Sequence, residues 1–110
     1  MKILSQKQGH MVKVSVNGKM DAVTAPDFEN ALSCIIAQGD LKFLVDLSGL
    51  EYISSAGLRA ILVVAKELRK REGEMLFVGL QNQVQDVFKI SGFYSIFRIL
   101  RTEDEVPKQM

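Results

Sequence analysis

The chain carries the sequence VDLSGLEYISSAGLR at residues 45–59, which predicts a strand that leads through a loop into a helix. Residues 45–47 end an apolar strand, and from Leu58 the apolar residues recur at the three-and-four spacing of a helix face that packs on a core. Ser54 and Ser55 therefore lie at the helix N-terminus, where free N–H groups and the helix dipole favour a hydroxyl oxygen or an anion. Capping would explain one of the serines, and a regulated hydroxyl is the alternative.

Outward from this segment, strands and helices alternate along the chain. Thr24 is expected to cap the first helix, Gly39 to end it and Gly73 to end the second. The order is two strands followed by three helix–strand units, which indicates an α/β fold with a mostly parallel mixed sheet, an antiparallel N-terminal hairpin and three to four helices. Strands are expected at 3–6, 11–16, 41–47, 75–78 and 96–100, and the last helix at 83–90.

Length and composition indicate one small domain. The chain has 110 residues, of which 47% are hydrophobic and 25% charged, as in ordinary globular domains. We expect the domain to span residues 1–101. Residues 102–110 are acidic and lack core periodicity, and we expect them to form a loosely ordered tail with at most one turn.

Charge and hydropathy exclude several classes of partner. A net charge of +1 provides no basic surface for nucleic acid or an anionic membrane. The longest apolar run, residues 60–65, is far too short to span a bilayer, and the N-terminus lacks a signal-peptide pattern. The single Cys34 excludes an internal disulfide and is expected to be a small packing residue on a helix. We therefore expect a cytoplasmic protein.

Catalytic and metal-binding patterns are missing from the sequence. A serine nucleophile needs a base, and the only histidine, His10, lies far from Ser55 in sequence. No Gly-x-Ser-x-Gly motif, metal-ligand set or phosphate-binding glycine loop is present. We expect no enzyme activity, no cofactor and no metal site.

Three segments resemble the STAS domains of the anti-sigma factor antagonist family. The first contains Asp46, Ser48, Tyr52 and the run from Ser54 to Leu58; the others are residues 17–21, NGKMD, and 84–93, VQDVFKISGF. The resemblance extends over roughly residues 1–101, with these segments in the same order and spacing as in the family. The resemblance implies that Ser55 is the phosphoacceptor, while Ser54 occupies the position of the family's aspartate. It also implies a partner-binding surface that comprises Asp21, Asp46, Ser48, Ser54, Ser55, Ala56, Gly57, Leu58 and Arg59.

The resemblance further implies a function as a binding switch. An anti-sigma factor antagonist binds an anti-sigma factor serine kinase when unphosphorylated, which releases the sigma factor. The kinase switches the antagonist off by phosphorylating it, here at Ser55, and a PP2C-type phosphatase restores it. We expect a monomer when the protein is free.

Two alternatives stay open at this point. The protein could be a constitutive STAS scaffold or an accessory subunit of a signalling or transport assembly, with Ser55 unmodified. It could also be an enzyme in which Ser55 is the nucleophile.

Overall fold

A five-stranded sheet carries the helices of this protein, seen in a computed structural model that describes residues 1–106. The strands lie in sequence order across the sheet; β1 pairs antiparallel with β2, and the other neighbours are parallel. The predicted α/β fold is thus confirmed. The elements are β1 (Lys2–Gln8), β2 (Met11–Met20), α1 (Ala25–Ala37), β3 (Lys42–Ile53), α2 (Ser55–Lys70), β4 (Glu74–Val78), α3 (Asn82–Ile90), α4 (Phe93–Ile96), β5 (Arg98–Leu100) and a 3₁₀ turn (Glu103–Glu105).

The main core lies between one face of the sheet and the helices. Connections between parallel neighbouring strands are right-handed. Because each connection in this sheet leads to the next strand on the same side, the connecting helices all lie on one face of the sheet. Val12, Val14 and Val16 alternate inward along β2 and are almost fully buried. They meet the apolar stripes of α1 and α2, which explains why β2 alternates apolar and polar residues.

The other face of the sheet carries a smaller cluster, and the start of the predicted tail contacts this face. Val106 packs against buried Leu44, Leu76 and Val78. Glu103 lies 2.5 Å from the Nζ of Lys13 on β2, and this contact raises the pKa of Lys13. Within the tail predicted for residues 102–110, the structure describes residues 102–106, which contain one 3₁₀ turn. Residues 107–110 lie outside the described residues.

The first three strands are longer than the sequence predicts, and the difference is largest for β2 and β3. β2 continues to Met20 and β3 to Ile53, with irregularities in their pairing after Ser15 and after Gly18. Glycine at position 49 favoured a loop, but a Cβ there would lie 1.7 Å from the Oδ1 of Asn17. Gly49 therefore makes room for a neighbouring side chain inside the pairing, and β3 does not end there.

Two local predictions for the helices were wrong. Gly73 does not provide the left-handed residue after α2, because Glu72 takes that conformation with φ of 59°. Gly73 is needed instead where β4 begins, since a Cβ there would lie 2.6 Å from the carbonyl oxygen of Leu41. Cys34 is exposed, because it lies two residues after the buried Leu32, on the opposite side of α1.

The last strand also differs from its prediction. Residues 93–96 form the short helix α4, and β5 spans only Arg98–Leu100. Phe93 turns into the core, where its ring lies 5.0 Å from Phe88 and 5.2 Å from Phe97. Packing of these rings determines the local conformation, and strand alternation cannot reveal it.

Phe77 is the centre of this aromatic packing, and its truncation should strongly destabilise the fold. Its ring makes edge contacts with Phe88 at 5.5 Å and Phe97 at 5.1 Å. We expect Phe77→Ala to lower the free energy of unfolding by about 3–5 kcal/mol in urea titrations. Tyr94→Ala, at an aromatic residue that is 40% exposed, should cost less than about 1 kcal/mol. Equal losses would contradict this assignment.

Candidate functional site

The first turn of α2 lies directly on the ends of β2 and β3. The backbone N–H of Ser54 donates to the carbonyl oxygen of Met20 at 2.9 Å. A Cβ on Gly57 would lie 2.6 Å from Cγ1 of Ile53 and 3.1 Å from the Met20 oxygen. A glycine is therefore required at position 57 for the helix to start this close to the two strands.

The two serines at this helix start have different surroundings. Ser54 is the N-cap in an extended conformation, and its Oγ accepts from the backbone N–H of Gly57 at 3.3 Å. Ser55 is the first helical residue, its side chain is exposed, and its hydroxyl has no hydrogen-bond partner within residues 1–106. Capping therefore accounts for Ser54 alone, and Ser55 presents a free hydroxyl at the positive end of the helix dipole.

A hydrogen-bonded turn between β2 and α1 lies beside this helix start. Oδ1 of Asp21 accepts from the backbone N–H groups of Val23 at 3.0 Å and Thr24 at 3.1 Å. In return, Oγ1 of Thr24 accepts from the N–H of Asp21 at 2.9 Å. This reciprocal pair has the pattern of a capping box.

Asp21 therefore does the capping that the sequence assigned to Thr24. Thr24 occupies the N-cap position, but its side chain makes no capping bond to α1 and donates to the carbonyl oxygen of Lys19 at 2.9 Å. The N–H of Ala25 donates to the Asp21 carbonyl at 2.8 Å, so the helical turn begins at Asp21. The N–H of Thr24, which stabilises the carboxylate, lowers the pKa of Asp21.

Gln83 of α3 holds the end of β3 in place, through a contact that no sequence pattern predicted. Its Oε1 accepts from the N–H of Ile53, and its Nε2 donates to the carbonyl oxygen of Ile53, both at 3.0 Å. β4 ends opposite Asp46, so it cannot provide a strand partner for Ile53. The amide of Gln83 replaces that partner across a separation of 30 residues, which no local pattern reveals.

The predicted surface divides into two places. Ala56, Leu58 and Arg59 follow Ser55 in the first turns of α2, with Arg59 exposed one turn from Ser55. Asp46 precedes Ile53 by seven residues in β3, which is roughly 20 Å along a strand.

Asp46 belongs to a different group of polar side chains. Its carboxylate accepts from the N–H of Ser48 at 2.9 Å and lies 3.9 Å from the Nζ of Lys13. Ser48 is exposed but also lies well back along β3. The structure therefore brings Asp21 close to the start of α2 and does not bring Asp46 there.

Residues 2–106 match the family model described as the STAS domain. The chain belongs to the STAS domain family. BtrV of Bordetella bronchiseptica, provisionally named an anti-sigma factor antagonist, is 38% identical over 104 residues, with 94% of this chain and 90% of that protein covered. The anti-sigma-B factor antagonist of Listeria monocytogenes is 28% identical over 103 residues, with the same two coverages.

A solved structure confirms the STAS fold. The crystal structure of an anti-sigma factor antagonist from Mycobacterium paratuberculosis superposes with a TM-score of 0.85 at 27% identity, covering 94% of this chain and 88% of that one. The resemblance stated from the sequence is thus confirmed.

We also considered whether Ser55 has a catalytic base and whether the domain holds a metal site or a membrane-spanning helix. His10 immediately precedes β2, whereas Ser55 lies beside the far end of that strand, so His10 cannot serve as its base. No group of three metal-binding side chains occurs in the described part of the chain. None of the helices within residues 1–106 is long and apolar enough to cross a membrane.

Removing the amide of Gln83 should loosen the end of β3 in this STAS domain. Gln83→Ala leaves a part-buried N–H and carbonyl of Ile53 without partners, so we expect a loss of about 1–3 kcal/mol in the free energy of unfolding. Amide hydrogen exchange at Ile53 should accelerate as well. Gln85→Ala on the same helix is the matched control, and an equal effect of the two changes would contradict this role.

The stabilising effect of Asp21 should depend on pH. Because the folded-state pKa of Asp21 lies below 3.8, the ordinary value for an aspartate, the stabilisation is complete above that value and is lost as the pH falls through the folded-state pKa. The difference in unfolding free energy between wild type and Asp21→Ala should therefore narrow from pH 6 to pH 2 (~4 units, spanning the transition). A carboxyl-carbon NMR titration of Asp21 with a midpoint at or above 3.8 would contradict this.

Proposed function

We propose that this STAS domain is an anti-sigma factor antagonist that works as a phosphorylation-controlled binding switch. When unphosphorylated it binds an anti-sigma factor serine kinase and so releases the sigma factor; phosphorylation of Ser55 ends the binding. The observation that carries the proposal is the division between the two serines: Ser54 caps α2, and Ser55 is exposed with a free hydroxyl. The names of the relatives from Bordetella and Listeria support the same role.

The proposed docking surface comprises the turn at Asp21 and the first turns of α2, from Ser54 to Arg59. These elements are joined through the bond between Ser54 N–H and the Met20 carbonyl. Asp46 and Ser48 are left out of this surface because they lie back along β3. A kinase must reach the exposed hydroxyl of Ser55, and this is the surface around it.

A phosphate on Ser55 would be tolerated by the domain itself. It adds about −1.5 to −2 charges at neutral pH. The N-terminus of α2 can stabilise an anion by up to about 2 kcal/mol, and Arg59 follows at the i+4 position, where it can pair with a phosphate. The folded state therefore persists after modification.

The bound partner responds differently to the same charge. A dianion placed in a packed contact costs on the order of several kcal/mol, which is roughly a hundredfold in affinity or more. The kinase supplies the ATP site and the metal, and a PP2C-type phosphatase removes the phosphate. The cycle takes place in the cytoplasm, where ATP is available.

A constitutive scaffold is the second candidate, favoured by one feature of the chain. Ser54 stands where the family resemblance places an aspartate, so no carboxylate directly precedes the acceptor. In that case the domain would bind its assembly with Ser55 unmodified. The two functions differ in whether phosphate ever reaches Ser55.

The test is phosphorylation of the whole domain by an anti-sigma factor serine kinase with ATP, followed by mass analysis. We expect one phosphate on wild type and on Ser5→Ala, a control at an exposed serine of β1, and none on Ser55→Ala. Ser55→Ala should stay bound to the kinase, whereas Ser55→Asp should bind roughly a hundredfold more weakly. No modification, together with equal binding of wild type and Ser55→Asp, would overturn the switch.

A further inference from the structure

Two apolar side chains next to the candidate site are exposed without an evident reason. Val23, in the turn between β2 and α1, is 83% exposed, and Tyr52, near the end of β3, is 41% exposed. Tyr52 pairs with Lys19, next to the paired Met20 and Ile53. Both residues therefore lie at the end of the sheet where α2 begins.

We infer that Val23 is an apolar anchor for the kinase, with Tyr52 beside it, and that Asp21 acts by positioning Val23. The inference rests on the proposed function and adds the contact that provides affinity. Isolated exposed apolar residues are common on soluble proteins, so exposure alone does not single out Val23. Val23 is distinguished by its position next to the start of α2 and by the hydrogen-bonded turn that holds its backbone.

The turn holds Val23 in a fixed position. Its own backbone N–H donates to Oδ1 of Asp21, and the following residue, Thr24, forms the reciprocal pair with Asp21. A rigid apolar side chain loses little conformational entropy when a partner covers it, which is a property of binding hot spots. The side chain of Val23 is thus exposed on a fixed backbone and can enter an apolar pocket of a partner.

Asp21 uses one carboxylate oxygen to hold the turn that carries Val23. Its Oδ1 already accepts from the N–H groups of Val23 and Thr24. Removing the carboxylate would release the turn and, with it, the position of Val23. The structure therefore favours an indirect role for Asp21 in binding.

The occupant follows from the reaction at Ser55. The N–H of Ala25 closes a helical turn onto the Asp21 carbonyl, so Val23 lies within about one turn, ~5 Å, of the end of β2. The last residue of β2, Met20, accepts a hydrogen bond from Ser54. A kinase that closes around the hydroxyl of Ser55 therefore approaches the end of the sheet that carries Val23, and an apolar pocket is the surface that suits this side chain.

Ile90 provides a matched control for Val23. It is β-branched and 86% exposed, but it ends α3, which starts after β4 and runs back along the sheet. It therefore lies at the end of the fold away from Ser55. A general loss of surface hydrophobicity would affect both positions alike.

The experiment measures binding of the unphosphorylated protein to the anti-sigma factor serine kinase that modifies Ser55, by calorimetry, together with phosphorylation kinetics. Val23→Ser should weaken binding roughly tenfold or more and raise KM with little change in kcat. Ile90→Ser should stay within about twofold of wild type. Equal binding of wild type and Val23→Ser would overturn the inference.

A double-mutant cycle tests the role of Asp21. Asp21→Ala should weaken binding about as much as Val23→Ser, and the double variant should be no weaker than the single ones, because Asp21 acts through Val23. Additive losses would show that Asp21 contacts the kinase directly and would overturn the positioning role. Circular dichroism should verify that each variant is folded.

Failure of this inference is distinguishable from failure of the proposed function. If wild type is bound and phosphorylated on Ser55 while Val23→Ser behaves identically, only the anchor is wrong. If no anti-sigma factor kinase binds or phosphorylates wild type, both are overturned.

Discussion

The close approach of α2 to the ends of β2 and β3 is the constraint on which the candidate site depends. It requires the missing Cβ of Gly57, which lets the first helical turn lie against Ile53 and Met20. With the helix in that position, Ser54 meets both the Met20 carbonyl and the N–H of Gly57. Ser55, one residue later, is rotated about 100° around the helix axis and faces solvent.

Three polar side chains around the start of α2 are engaged in hydrogen bonds within the domain. Ser54 caps a helix, Asp21 holds a turn and Gln83 completes a strand end. The free hydroxyl of Ser55 is therefore distinguished from that of Ser54 by its surroundings, since both residues are serines. An enzyme would instead need a base directed at this hydroxyl, and the only histidine lies at the other end of β2.

Local patterns predicted the parts of this structure that local forces determine. Apolar periodicity located α1 and α2, and the paired serines marked the start of α2 within one residue. The extent of β3 could not be predicted, because Gly49 serves a side chain of another strand. Asp21 takes the capping role expected of Thr24 because the helical turn starts before the regular helix. The resemblance implied one surface for Asp46 and Ser55, but an extended strand separates the two residues in space.

The contact of Gln83 with Ile53 also protects the domain against edge-to-edge strand pairing with other molecules. Beyond Asp46, β3 outruns β4, so its outer edge would display unpaired backbone groups at the very end where partners are expected to dock. Such an edge is a template for strand addition and aggregation. The amide of Gln83 occupies both the donor and the acceptor of Ile53. The side chain of Gln83 thereby blocks strand addition at the last residue of β3, where the unpaired edge ends.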